Sequence, residues 1–137
     1  VSPRDARTPV IPPLRATLPL LRAFRCAARG VAAAALTQRN MRIHLGAAAL
    51  VVVAGLVLGV SAVEWAVLAV CVGSVIGAEC LNTAVEFVVD LVCPQFDERA
   101  GRAKDCAAGA VLVVAVAAAV AGLAVFTPHA LDLIAPR

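Results

Sequence analysis

The sequence predicts an all-α integral membrane protein, with an N-terminal interfacial amphipathic helix followed by three transmembrane helices. Composition is the first ground: 62% of the 137 residues are hydrophobic, 15% are charged and the mean hydropathy is +0.94, outside the range of water-soluble domains. The second is that three apolar runs are long enough to cross a hydrocarbon core of ~30 Å. The third is charge placement. Of twelve Lys and Arg residues, eight (Arg4, Arg7, Arg15, Arg22, Arg25, Arg29, Arg39, Arg42) precede the first run, and Arg99, Arg102 and Lys104 lie between the second and third. The positive-inside rule then places the N-terminus and the 93–104 loop in the cytoplasm, and the 61–64 turn and the C-terminus outside.

Residues 1–17 carry Pro3, Pro9, Pro12 and Pro13 among Arg, Ser and Thr, a composition that holds no regular helix and is expected to form a flexible arm. From 18 to 37 helix formers take over. Arg22, Arg25 and Arg29 recur at spacings of three and four, which aligns them on one face, while Leu20, Leu21 and Phe24 can turn toward lipid. The membrane domain is expected over 18–127, with a short tail over 128–137. Its first span, 43–60, contains His44 near the cytosolic start and a Gly55/Gly59 GxxxG pair that lets backbones approach closely. Trp65 after the turn is expected to be an interfacial anchor.

The second span, 64–93, has no proline before Pro94, and at ~1.5 Å per residue it outruns the hydrocarbon, so its last turns reach the cytosolic interface. Gln95 to Arg102 read as a polar loop. The third span covers 104–126, with its apolar run starting at Cys106 and Thr127 and Pro128 closing it. Cys26, Cys71, Cys80, Cys93 and Cys106 are scattered, without CxxC or Cys/His spacing, and read as small apolar fillers.

Inside the second span stand Glu79, Asn82, Glu86 and Asp90. At ~100° per residue they fall within roughly 80° of arc and form one polar stripe. A single ionisable group in a membrane helix costs about 2.5 to 3.5 kcal/mol, so three carboxylates on one stripe call for compensation. A divalent cation is the simplest: Mg²⁺ takes oxygen ligands, commonly one or two carboxylates with substrate phosphates and water. Lys104 and Asp105, expected at the start of the third helix, add a cation for phosphate oxygens and another carboxylate. A polar seam in which Arg42, Arg102 or Lys104 pairs the acids, and an ion or proton pathway, are the other readings of such a stripe.

These residues carry a resemblance. Glu79-Cys-Leu-Asn82-Thr-Ala-Val-Glu86-Phe-Val-Val-Asp90, then Ala103-Lys104-Asp105-Cys-Ala-Ala-Gly-Ala-Val, resembles the paired signatures E-x-x-N-[ST]-A-x-E-x-x-x-D and A-K-D-x-x-x-x-A-V of the prokaryotic diacylglycerol kinase and undecaprenol kinase family. The match extends upstream through Arg39-Asn40-Met41-Arg42-Ile43-His44 and Ser61-Ala62-Val63-Glu64-Trp65, a stretch closer to the undecaprenol type, and covers about residues 22 to 126.

The resemblance implies a homotrimer in a bacterial inner membrane, with active sites at subunit interfaces near the cytosolic surface and no P-loop. It implies transfer of the γ-phosphoryl group of ATP, with Mg²⁺, to a lipid hydroxyl, and gives no role to nucleic acid. By position, Glu79 matches the proposed general base and Glu86 the metal-binding carboxylate. Asn82, Asp90, Lys104 and Asp105 match positions around the nucleotide, as does the stretch Gln95, Phe96 and Asp97, and Arg42 and Ala108 match lipid-contacting positions. Two positions depart from the pattern. Gln38 stands where a second metal-binding Glu is usual, and a neutral amide is a poorer Mg²⁺ ligand. Cys26, a nucleotide-side position, replaces an aromatic residue and cannot stack on a base. These departures sustain an alternative, a lapsed relative that only binds lipid or nucleotide.

Overall fold

The computed structural model describes residues 18–134; the arm expected over 1–17 and the end of the tail, 135–137, lie outside the described residues. Four helices follow one another: α1 (Leu18–Thr37), α2 (Arg39–Leu58), α3 (Ala62–Val92) and α4 (Glu98–Ile134). The last three are each long and apolar enough to cross a membrane. At ~1.5 Å per residue, the 20 residues of α2 span about 30 Å, whereas the 31 of α3 and the 37 of α4 reach well past a hydrocarbon core.

α3 and α4 form the main hairpin, and α2 packs against both. Little of these helices is buried within the chain, and leucines, valines and phenylalanines cover their outer faces. In lipid that is the expected distribution, since acyl chains are as apolar as leucine. The residues that are buried mark where the helices meet: Ala34 of α1, Met41 of α2, Leu68 and Val75 of α3 and Val111 of α4.

Pro19 falls in the first turn of α1, where a missing N–H leaves no intrahelical bond unmade. Gln38 alone separates α1 from α2. Its backbone is extended, with φ −97° and ψ 124°, although its N–H still donates to Ala34 O at 2.8 Å. That single non-helical residue changes the course of the chain and turns one side chain toward α3.

Several sequence expectations shift. Within the chain, only Gly55 of the Gly55/Gly59 pair meets another helix. Gly59 leaves α2 in the left-handed region at φ 67°, and its N–H and that of Val60 both donate to Gly55 O, at 3.1 and 3.2 Å. Gly55 itself receives the Trp65 ring: a Cβ built there would lie 2.7 Å from Trp65 Cη2. Trp65 is therefore a half-buried packing residue between α3 and α2.

The polar loop after α3 is shorter than expected. Asp97 Oδ1 accepts from the N–H groups of Arg99 and Ala100, at 2.7 and 3.4 Å, and so starts α4 at Glu98, placing Lys104 and Asp105 well inside the helix. At the other end, α4 continues through Thr127 and Pro128 to Ile134. A proline removes one helix hydrogen bond without ending a long apolar helix whose remaining bonds have no competing water.

Candidate active site

The polar stripe of α3 faces α2 and α4 at one end of the hairpin. Glu79 is 1% exposed, and its Oε2 is buried without a hydrogen-bond partner among the described residues. The neighbouring Thr83 hydroxyl donates to the Glu79 backbone carbonyl at 2.9 Å, so it is tied to the helix and does not bind the carboxylate. Two turns beyond Glu79, Glu86 is held by two neutral amides. Asn82 Nδ2 donates to its Oε1 at 3.0 Å and Gln38 Nε2 to its Oε2 at 3.1 Å. Having given its N–H to Glu86, Asn82 keeps a buried carbonyl oxygen with no partner.

The unpartnered oxygens belong to residues that line a pocket of about 190 Å³. Asn40 and His44 of α2 join Glu79 and Asn82 on its polar side, while α4 supplies Ala108, Val111, Leu112 and Ala115. His44 and Ala115 also line a second, wholly different space, an apolar cleft of about 640 Å³ that runs between α2, α3 and α4 as far as Leu58 and Phe126. A polar pocket and a hydrocarbon-lined cleft thus meet at His44 and Ala115.

Farther toward the α3–α4 turn, Lys104 Nζ and Asp90 Oδ1 pair at 2.5 Å in an exposed position. Among the described residues no arginine or lysine pairs with Glu79 or Glu86; the ion pairs are Lys104–Asp90, Arg99–Asp97 and His129–Glu64. Among the described residues of one chain, the buried part of the stripe is thus not neutralised by a lysine or arginine.

The expected site residues fall into groups. Gln38, Asn82 and Glu86 form one hydrogen-bonded cluster; Glu79 and Ala108 share the adjoining pocket with Asn82; Asp90 and Lys104 form a separate pair. Cys26, Arg42 and Asp105 are exposed and outside the cluster. Gln95 and Phe96 lie in the turn, with Phe96 99% exposed, and Asp97 spends one carboxylate oxygen on capping α4. Sequence reasoning missed Asn40 and His44 as pocket residues. Their signal was present in two polar side chains four apart at the start of an apolar helix, hence on one face of it.

A hairpin too long for the bilayer, with a buried carboxylate facing a small pocket at one end, defines a membrane protein built around a reactive polar site. Its relatives make that class definite. The family model described as prokaryotic diacylglycerol kinase matches residues 25–126, and the chain belongs to that family of lipid kinases. It is 39% identical over 107 residues to the undecaprenol kinase of Bacillus subtilis (strain 168), covering 78% of this chain and 87% of that protein. To the diacylglycerol kinase of Synechocystis sp. (strain ATCC 27184 / PCC 6803 / Kazusa) it is 47% identical over 115 residues, 83% of this chain and 66% of that protein.

Proposed function

We propose that the chain transfers the γ-phosphoryl group of ATP to the hydroxyl of a membrane lipid, undecaprenol or diacylglycerol, at the polar end of the α3–α4 hairpin. The observation that carries this reading is the unpartnered Glu79 Oε2, held out of water beside a pocket large enough for a hydroxyl group. A carboxylate so placed takes the proton of the attacking hydroxyl. Asn82 offers a free carbonyl oxygen in the same pocket to orient that hydroxyl, and Ala108 leaves room for it. Phosphoryl transfer needs little covalent help from protein, so positioning and charge neutralisation supply most of the acceleration.

The donor set suits Mg²⁺ arriving with the nucleotide. Glu86 contributes a carboxylate, and the Gln38 amide lies within hydrogen-bond reach of it. That matches an ion held by one carboxylate together with phosphates and water. When bound, Mg²⁺ neutralises phosphate charge. Lys104, steered by Asp90, is placed to bind phosphate oxygens, with Asp105 and the Gln95–Asp97 turn around the nucleotide. Arg42, exposed at the start of α2, is suited to the lipid headgroup region.

The membrane arrangement follows the charge pattern. The start of α2 and the α3–α4 turn lie on the cytoplasmic side of the inner membrane, with α1 at the interface, Leu20, Leu21 and Phe24 toward lipid and its arginines toward headgroups. A homotrimer, which would cover part of the exposed apolar faces of α2 to α4, brings a neighbouring subunit to the open side of the pocket. The deciding experiment is transfer of labelled γ-phosphate from ATP to a panel of undecaprenol, diacylglycerol and ceramide in mixed micelles. Label in one or more lipids is expected; a silent panel with bound nucleotide would favour a binding protein without turnover, the outcome that Gln38 opposite Glu86 keeps in play.

A further inference from the structure

We propose that His44 is the proton outlet of this site, taking from Glu79 the proton removed from the acceptor hydroxyl and passing it to solvent. The inference rests on the reading of Glu79 as the base. A proton placed on a carboxyl that is 1% exposed has no direct way into water, yet Glu79 must lose it before the next turnover. The walls of the pocket restrict the exits.

Asn40 and Asn82 are amides, which do not take up a proton near neutral pH. Every side chain that α4 contributes is apolar. The Thr83 hydroxyl is committed to a backbone carbonyl. Elsewhere on α3, Glu86 already has both oxygens engaged by Gln38 and Asn82. Among the described residues this leaves His44 as the other titratable group on the pocket wall. It is half-buried, and its ring makes no side-chain hydrogen bond or ion pair with the described residues. It also lines the neighbouring apolar cleft, and its partial exposure sets it between the polar pocket and the surface of the chain. Imidazole suits the task because it binds a proton on one nitrogen and releases one from the other.

The step balances. The hydroxyl oxygen forms the new P–O bond as the bond from the γ-phosphorus to the bridging oxygen breaks, and that electron pair leaves with ADP. The hydroxyl proton passes to Glu79 Oε2, then to a nitrogen of His44, and the imidazolium gives a proton to bulk water, restoring carboxylate and neutral ring. A pocket of about 190 Å³ has room for bridging water between the two groups.

The test uses the full chain in mixed micelles with ATP and either dioleoylglycerol or undecaprenol. His44→Gln and His44→Ala should lower turnover about 100-fold, the lower end of the range for proton-transfer groups, with KM for ATP and lipid little changed. The pH dependence of turnover should differ between the wild type and both variants, because only the wild type can route the proton through the ring. Free imidazole should restore His44→Ala and leave Glu79→Gln inactive. Wild-type turnover in both variants, or a loss that imidazole leaves untouched with an unchanged pH profile, would overturn the relay. Should His44→Ala aggregate on size-exclusion chromatography, the pH profile and imidazole response of His44→Gln decide in its place. An active Glu79→Gln would instead remove the base itself, so the two failures are distinguishable.

Discussion

Two glutamates of α3, one in its first turn and one near its middle, are treated by the helix in opposite ways. At the first turn, Glu64 has both oxygens occupied: Oε2 accepts from the Ser61 N–H at 2.7 Å and Oε1 meets His129 Nε2 at 3.0 Å. Its own N–H lies 3.4 Å from Ser61 Oγ, completing a capping box that begins α3 and, through His129, ties it to the last turns of α4. Four turns further, Glu79 is more deeply buried and yet its buried Oε2 has no partner among the described residues, nor has the Asn82 carbonyl oxygen. An unsatisfied buried polar atom costs about 1 to 3 kcal/mol, so a helix built for stability alone would not carry two. The first turn is a clamp with both Glu64 oxygens used; the middle of the helix holds acceptors in reserve for a substrate.

The largest expected effect separates those roles. Glu79→Gln keeps the size of the side chain and should lower lipid phosphorylation by about 10²-fold or more, while the mutant elutes and melts like the wild type. Undiminished phosphate transfer would show that Glu79 is as structural as Glu64. Gly55→Ala tests the clamp. The new methyl meets the Trp65 ring at 2.7 Å, and overpacking of about 1 to 3 kcal/mol should outweigh the helix propensity gained, lowering Tm in detergent. A raised Tm would mean that the ring gives way freely.

Gln38→Glu sharpens the contrast inside the site. A carboxylate at the position from which the amide now reaches Glu86 at 3.1 Å sets two negative charges together, so Mn²⁺ binding without nucleotide, read by EPR, should tighten several-fold. Identical titrations for the two proteins would place residue 38 outside the ion's reach. The smallest effect is expected from His129→Gln. It loses the contact to one Glu64 oxygen while the Ser61 bond remains, so Tm should fall less than in Gly55→Ala and the metal dependence of activity should not move. A changed metal requirement would couple the two regions and blur the comparison.

Much of this architecture was legible in the chain itself. Helix content, the three long apolar elements and the common face of Glu79, Asn82 and Glu86 all follow from composition and a 3.6-residue period, which are local properties. The motif pair at 79–90 and 103–111 was enough to identify the family. Boundaries were harder: Asp97 as the cap of α4 and the passage of that helix through Pro128 depend on whether neighbouring bonds hold, and the Ser61-x-x-Glu64 box was a readable signal overlooked beside Trp65.

What tertiary structure alone decided is which distant groups meet. Gln38 reaches across 48 positions to Glu86, and His129 across 65 to Glu64. His44 joins a polar pocket to an apolar cleft because α2 happens to lie against both halves of the hairpin. Periodicity assigns a side chain to a face of its own helix; only the packing of one helix on another determines what that face touches, and with it which carboxylate is satisfied and which stays free to react.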